Sequence, residues 1–253
     1  MVEITRVKHT RDHTLRPHGA LWSLLARQRF LRLVRACYLD PLFVSREVLR
    51  QQVERVLPRA RGVVLDIGCG RRPYEASLGQ AVTQYFGLDY PSTMSVGVCP
   101  DIYADGLALP VQDATVDTIL CFGVLLYMVD PFRFFREISR VLRPSGQYIL
   151  STPLMRGASD EPEDRFRFTP QGLTLLAEQA GLQVEEIAPC GGIWAMIGQR
   201  ISSALVQRAK MSQAKRRSRS LCCGIVQCLG LGLDWLWPWS QESLHYIIVG
   251  RKP

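Results

Sequence analysis

Apolar residues along this chain change period several times, and each change marks an element. Between Ala20 and Leu39, Leu21, Leu24, Leu25, Leu31, Val34 and Tyr38 recur at roughly helical spacing with arginines between them. That pattern predicts a basic amphipathic helix. Residues 1–19 before it carry charges and histidines with little periodicity and read as an arm. A second helix is predicted from about Pro41 to Val56, broken by Pro58. Apolar runs then predict strands near 63–67, 84–89, 117–121 and 147–152, with helical stretches between them. From Pro131 to Leu142, Phe134, Phe135, Ile138, Val141 and Leu142 make one apolar face behind a proline suited to a first helical position. Thr169 reads as an N-cap before Pro170, and Gly181 as the stop of that helix. A strand over Leu182–Pro189 follows, and residues 244–253 read as a last one. Strands alternating with helices predict an α/β fold with a parallel sheet.

About 50 residues, Cys190 to Ser243, separate those last two strands. They contain an apolar stretch over 193–206, a basic cluster (Arg208, Lys210, Lys215, Arg216, Arg217, Arg219) and the apolar run Leu221–Leu233. That run has 13 residues, short of the roughly 20 that cross a bilayer. Trp235, Trp237 and Trp239 beside basic residues resemble an interfacial belt. The expected organisation is a basic N-terminal arm and helices (1–58), a core (59–190), an apolar and basic helical insertion (191–243) and a final core strand (244–253), all in one structural domain.

The net charge is +8. Its positive side chains gather beside apolar, aromatic segments, which suits anionic lipid headgroups at least as well as nucleic acid. Packing of both segments on the protein, or on a second copy in a homodimer, is the competing expectation. The eight cysteines are scattered, with no zinc-type spacing, so no metal is expected and reduced thiols are. No leader-like stretch is evident. A cytoplasmic location, with peripheral contact at the inner membrane face, is the expectation.

The candidate chemistry centres on Val63–Tyr74, where an apolar strand runs into Asp66-Ile67-Gly68-Cys69-Gly70. A glycine turn after a strand lets backbone N–H groups approach a ligand. A second strand ends in Asp89, at the distance where dinucleotide-type folds place an acid on ribose hydroxyls. The dinucleotide fingerprint wants a third small residue; Pro73 stands there instead and has no N–H. NAD and FAD are therefore disfavoured, and the phosphate-binding P-loop is absent. An adenosine-containing cofactor of another kind remains.

At this point the chain resembles the class I methyltransferases that use S-adenosyl-L-methionine (SAM), of the type-11-like domain family. Asp105-Gly106-Leu107 is similar to the family's acidic loop after the third strand. Leu109-Pro110, Asp113 and Val116-Asp117 resemble its run into the fourth, and Arg140–Gly146 its turn before the fifth. Pro162, Asp164, Arg167, Phe168, Thr169, Gly172 and Leu173 match a signature of one subfamily. The resemblance covers about residues 60–190. It implies a Rossmann-like doubly wound seven-stranded sheet with strand 7 antiparallel. It also implies roles: Asp66 on the SAM amino group, Gly68, Cys69 and Gly70 as its cradle, Asp89 on the ribose, Tyr90 against the adenine. Asp105, Gly106 and Leu107 would hold the adenine edge, and the backbone of Cys121 and Phe122 would face the methionine end.

Many relatives carry Glu-His after the fourth strand; Leu126-Tyr127 stands here, so no histidine base is expected there. Tyr127, Asp164 and His18 remain candidates on the acceptor side. The expected activity is methyl transfer to a small-molecule or lipid- or glycan-linked acceptor, on oxygen. The alternatives are an RNA methyltransferase and a non-catalytic SAM-binding scaffold at a membrane surface. Amino-methylating members carry [DNS]-P-P-[YFW] where this chain has Cys121-Phe122-Gly123-Val124, which argues against nucleic-acid base methylation.

Overall fold

The computed structural model describes residues 42–91, 100–155, 164–207, 213–237 and 243–253. The arm, the basic helix expected over Ala20–Leu39, His18, Arg208, Lys210 and Trp239 lie outside them. Seven strands form one sheet: β1 (Gly62–Ile67), β2 (Val82–Asp89), β3 (Ile102–Tyr103), β4 (Val116–Phe122), β5 (Leu142–Pro153), β6 (Gln183–Cys190) and β7 (His245–Arg251). Their order is β3-β2-β1-β4-β5-β7-β6. The pairs from β3 to β5 are parallel, and β7 runs antiparallel to both of its neighbours. The described helices are α1 (Phe43–Val56), α2 (Pro131–Val141), α3 (Pro170–Gln179), α4 (Ile193–Gln207) and α5 (Gln213–Leu236).

Successive strand residues point to opposite faces, so each central strand feeds two cores. Leu65, Ile119, Leu150 and Ile248 face α2 and α3, meeting Phe134, Phe135, Ile138, Leu173 and Leu176. Val64, Leu120, Ile149 and Ile247 face α1 and α4, meeting Val44, Val48, Val53 and Met196. Each such side chain, fully buried, contributes about 1.5–3 kcal/mol relative to exposure. The sheet is thus wound on both faces.

Local signals set the helix ends. The Asp130 side chain accepts the Arg133 N–H at 2.9 Å ahead of Pro131, and Thr169 accepts that of Gly172 at 3.2 Å. Both are N-caps followed by proline. Gly181 stops α3 at φ +71°. The turn expected over Arg140–Gly146 takes a different form. Pairing jumps from Val116–Leu142 to Thr118–Gln147, so Arg143–Gly146 bulge out of β5, with Ser145 at φ +62°.

One expectation fails. A helix was expected after the glycine turn, but β1 and β2 are joined through a single 3-10 turn, Glu75–Ser77. Gly70 and Arg72 both sit at φ +50°, which a right-handed helix does not accept, and Pro73 removes a donor.

The insertion folds as an antiparallel helical hairpin, α4 against α5. Asp234 caps α4 by accepting the N–H groups of Gly192 (2.7 Å) and Trp194 (3.0 Å). The helices touch closely at glycine: a Cβ on Gly230 would stand 2.7 Å from the Trp194 carbonyl oxygen. The hairpin also grips α1. Gln227 and Gln199 each offer a side-chain oxygen, to the N–H of Val44 and Ser45 respectively, both at 3.2 Å. One face of the insertion therefore packs on the protein. No helix among the described residues is long and apolar enough to cross a membrane.

Candidate cofactor site

Strand order reverses between β1 and β4, with β2 and β3 on one side and β5 onward on the other. Ligand crevices in open α/β sheets lie beyond the carboxyl ends of the strands at such a point. A cavity of about 730 Å³ lies there, within the usual size of small-molecule sites. Ile67, Gly68 and Gly70 line it from β1 and its turn, Leu88, Asp89 and Tyr90 from β2, and Ala104–Leu107 from the link after β3. Phe122, Gly123, Val124, Tyr127, Met128, Val129 and Arg165 close the other side.

The turn is built for close approach. Gly68 sits at φ +75°, and its N–H donates to the Leu88 carbonyl at 2.7 Å. A Cβ there would overlap Val124 Cγ2, whereas a Cβ on Gly70 would meet nothing within 4 Å. The space above Gly70 is thus open to a ligand. Asp89 is tied to this turn: one carboxylate oxygen accepts the Gly70 N–H at 2.9 Å and the other the Tyr90 N–H at 2.8 Å. The two bonds orient the carboxylate at the cavity wall. Asp105 folds its own loop by accepting the Leu107 N–H at 2.9 Å, an Asx-type turn. A Cβ on Gly106 would press on the Phe134 ring at 3.0 Å.

Three expected residues lie off the cavity lining. Asp66 faces the opposite side of the sheet and is 2% exposed. Its partner is the Tyr85 hydroxyl on β2, which donates at 2.7 Å. Asp89, not Asp66, holds the glycine turn. Burial, with a smaller contribution from the Asp89 charge, pushes the Asp66 carboxyl up to about 6 against the opposing effect of the Tyr85 bond. Cys69 packs under the turn against β2, where a Cβ on Gly87 would meet its sulfur at 2.8 Å. Burial raises its thiol to about 11. Cys121 is fully buried, which raises its thiol as well. Neither thiol is a nucleophile at neutral pH.

The raised Asp66 value has a testable sign. The folded protein favours protonated Asp66, so this group's stabilisation is present below about pH 4 and is lost as pH rises through about 6. Asp66→Asn keeps an acceptor for Tyr85 and carries no charge. Its stability relative to the parent is expected to grow between pH 4 and 7, by up to about 3 kcal/mol. Urea unfolding of both proteins at several pH values measures this; a constant difference would contradict it.

On the acceptor side, Tyr127 lines the cavity. The candidate Asp164 does not reach it. Its side chain is 1% exposed and pairs with Arg167, in a fork whose second bond is 2.8 Å. The pair braces the segment 164–168, which is stapled to the post-β4 link through the Leu126 carbonyl, an acceptor for the N–H groups of Arg165 and Phe166. Arg165, which the subfamily signature over Pro162–Leu173 does not include, lines the cavity and donates to the Tyr127 carbonyl at 3.1 Å. Tyr85 was also missed. Its signal was the strand alternation, since Tyr85 shares a sheet face with Asp66 one strand away.

Comparison with known proteins agrees with this geometry. A family model described as "Methyltransferase domain" matches residues 65–150. A probable S-adenosylmethionine-dependent methyltransferase of Mycolicibacterium smegmatis is 33% identical over 164 residues, covering 58% of this chain and 64% of that protein. One of Mycobacterium tuberculosis is 35% identical over 158 residues, covering 56% and 57%. The chain thus matches under two thirds of the length of these relatives. Among solved structures, geranyl diphosphate C-methyltransferase from Streptomyces coelicolor, in complex with S-adenosyl-L-homocysteine, superposes with a TM-score of 0.53 at 12% identity. It covers 81% of this chain and 76% of that one, and the likeness is one of fold.

The matched stretch, β1 through most of β5, thus resembles a methyltransferase domain and aligns with probable S-adenosylmethionine-dependent methyltransferases. The open turn and the carboxylates around the cavity fit S-adenosyl-L-methionine, the group named for those relatives.

Proposed function

We propose that this protein transfers a methyl group from SAM to an oxygen of a small-molecule or lipid- or glycan-linked acceptor. The observation that carries the reading is the pair of carboxylates, Asp89 and Asp105, on neighbouring β-strand ends around the open glycine turn. When bound, SAM supplies a methyl group already activated by its sulfonium charge, so the protein needs to orient the acceptor and exclude water. In this reading Asp89 takes the ribose hydroxyls and Asp105 the adenine amino group, with Tyr90 and Leu107 against the ring faces. Gly68 and Gly70 bring backbone close to the methionine portion, beside Phe122 and Gly123.

Acceptor contacts fall to Val124, Tyr127, Met128, Val129 and Arg165. This wall is mainly apolar, with one phenol and one cation, which suits an apolar or lipid-linked molecule bearing a polar or anionic end. The fork between Asp164 and Arg167 holds the wall in place rather than moving a proton. An acidic acceptor oxygen, a phenol or carboxylate, needs no strong base beside it. The chain lacks the Pro-Pro motif of amino-methylating relatives after β4, which supports oxygen over a nucleic-acid base nitrogen.

Incubating the protein with a native extract and isotopic methyl donor, then partitioning product between organic solvent and water, tests this. Label in the organic phase or in small water-soluble products is expected. Label only in RNA or protein, or none, would contradict it.

A further inference from the structure

The outer face of the helical hairpin is apolar where solvent is expected. On α4, Ile197 and Ile201 are exposed; on α5, Ile225, Leu229 and Leu233 repeat at four-residue spacing, and Leu236 and Trp237 continue the stripe, while Trp235, also exposed, sits on another side of the helix end. The inner face of the same hairpin is already used, since Ala195, Met196 and Leu231 join the core with α1. The stripe is therefore a second surface, left over after the fold is complete. Scattered surface leucines need no explanation, but a continuous stripe on two packed helices does.

Charge tells what it faces. Residues 1–41 carry eight basic and three acidic side chains, and residues 191–243 carry seven and two. The remainder of the chain carries sixteen basic and eighteen acidic. The net positive charge thus lies in the insertion and in the segment that leads to α1, while the methyltransferase core is slightly acidic. Arg200 is exposed on α4 between Ile197 and Ile201. Lys215, Arg216, Arg217 and Arg219 fall in the first two turns of α5. The start of α1 lies beside the hairpin, because Val44 and Ser45 bond to Gln227 and Gln199. Two like-charged segments repel each other, and so do two copies of such a face. An anionic partner with an apolar interior neutralises both and buries the stripe.

We propose that this face lies on an anionic lipid bilayer, with the exposed isoleucines and leucines and Trp237 entering the headgroup–acyl boundary, Arg200 meeting lipid phosphates and the net positive charge of residues 191–243 drawing the hairpin to the surface. The helices lie in the plane of the surface, since none is long and apolar enough to cross it. The inference shares its lipid setting with the proposed acceptor, but it does not depend on methyl transfer.

The test is flotation of the full chain with vesicles of phosphatidylcholine alone or mixed with phosphatidylglycerol, at low and high salt. Binding only to the anionic vesicles, weakened by salt, is expected. Leu229→Glu, at an exposed position, is expected to weaken that binding about tenfold or more while the thermal transition and SAM binding stay as in the parent. Ile225→Glu serves as the second variant should Leu229→Glu unfold. Absence of binding to anionic vesicles by the folded parent would overturn the proposal. So would a concentration-dependent dimer in light scattering that Leu229→Glu dissolves while lipid binding is unchanged. Because SAM binding is read separately, a failed methyltransferase reading leaves this outcome intact.

Discussion

Asp89→Ala is expected to weaken SAM binding about a hundredfold or more while leaving the protein folded. The carboxylate does two jobs: it holds the Gly70 N–H at 2.9 Å, and it presents acceptors where the ribose would lie. Hydrogen bonds to a charged group contribute about 1.5–3 kcal/mol each, so losing two ribose bonds accounts for a factor of about 100 or more. Freeing the Gly70 N–H loosens the turn as well. Stability changes less, since the N–H groups of Gly70 and Tyr90 released by the substitution can turn to water and the turn keeps the bonds of Gly68 and Cys69 to Leu88. Asp89→Asn, which keeps one acceptor oxygen, is expected to fall between the two. Titration calorimetry on the three proteins measures this, with urea unfolding as the control. Parent-like affinity in the alanine variant would remove Asp89 from the site.

Gly68→Ala is expected to damage both fold and binding. The residue sits at φ +75°, where an alanine costs about 1–2 kcal/mol. The added methyl would also overlap Val124, and forcing that side chain aside costs about 1–3 kcal/mol more. A total near 2–5 kcal/mol is a large fraction of a domain's stability. Gly70→Ala separates the two effects: it shares the backbone strain at φ +50° but adds its methyl to open space. It is expected to cost less stability and still obstruct the cofactor, because that space is the cavity. Unfolding midpoints and SAM affinities for the pair provide the check. Equal stability of Gly68→Ala and the parent would mean that the turn is not as tightly packed as described.

The parts of this molecule legible in its sequence are those whose cause is local. Thr169-Pro170 and Gly181 bracket a helix because capping and positive φ are properties of two or three residues. The sheet core was legible because Val64–Leu65, Leu120 and Ile149–Leu150 are apolar enough to require burial on both faces. Asp89 and Asp105, picked out by their places at strand ends, both line the cavity. What escaped needs the register between strands. Tyr85 meets Asp66 only because β2 pairs with β1 as Asp66 with Gly87 and Val64 with Tyr85. That pairing makes Asp66 a buried partner of a tyrosine. Arg165 and Arg167 look alike in sequence, two residues apart; the fork with Asp164 claims one and leaves the other on the cavity wall. The missing helix after the glycine turn follows from Arg72 joining Gly70 at positive φ, which composition does not announce.

The most direct measurement is calorimetric titration of the intact, folded protein with S-adenosyl-L-homocysteine and, separately, with NAD. The expected result is one binding site for the former and none for the latter, since Pro73 and the absent helix leave a pyrophosphate no N-terminal N–H groups to rest on. Tight binding of NAD, or no heat with the nucleoside, would contradict the cofactor site described above.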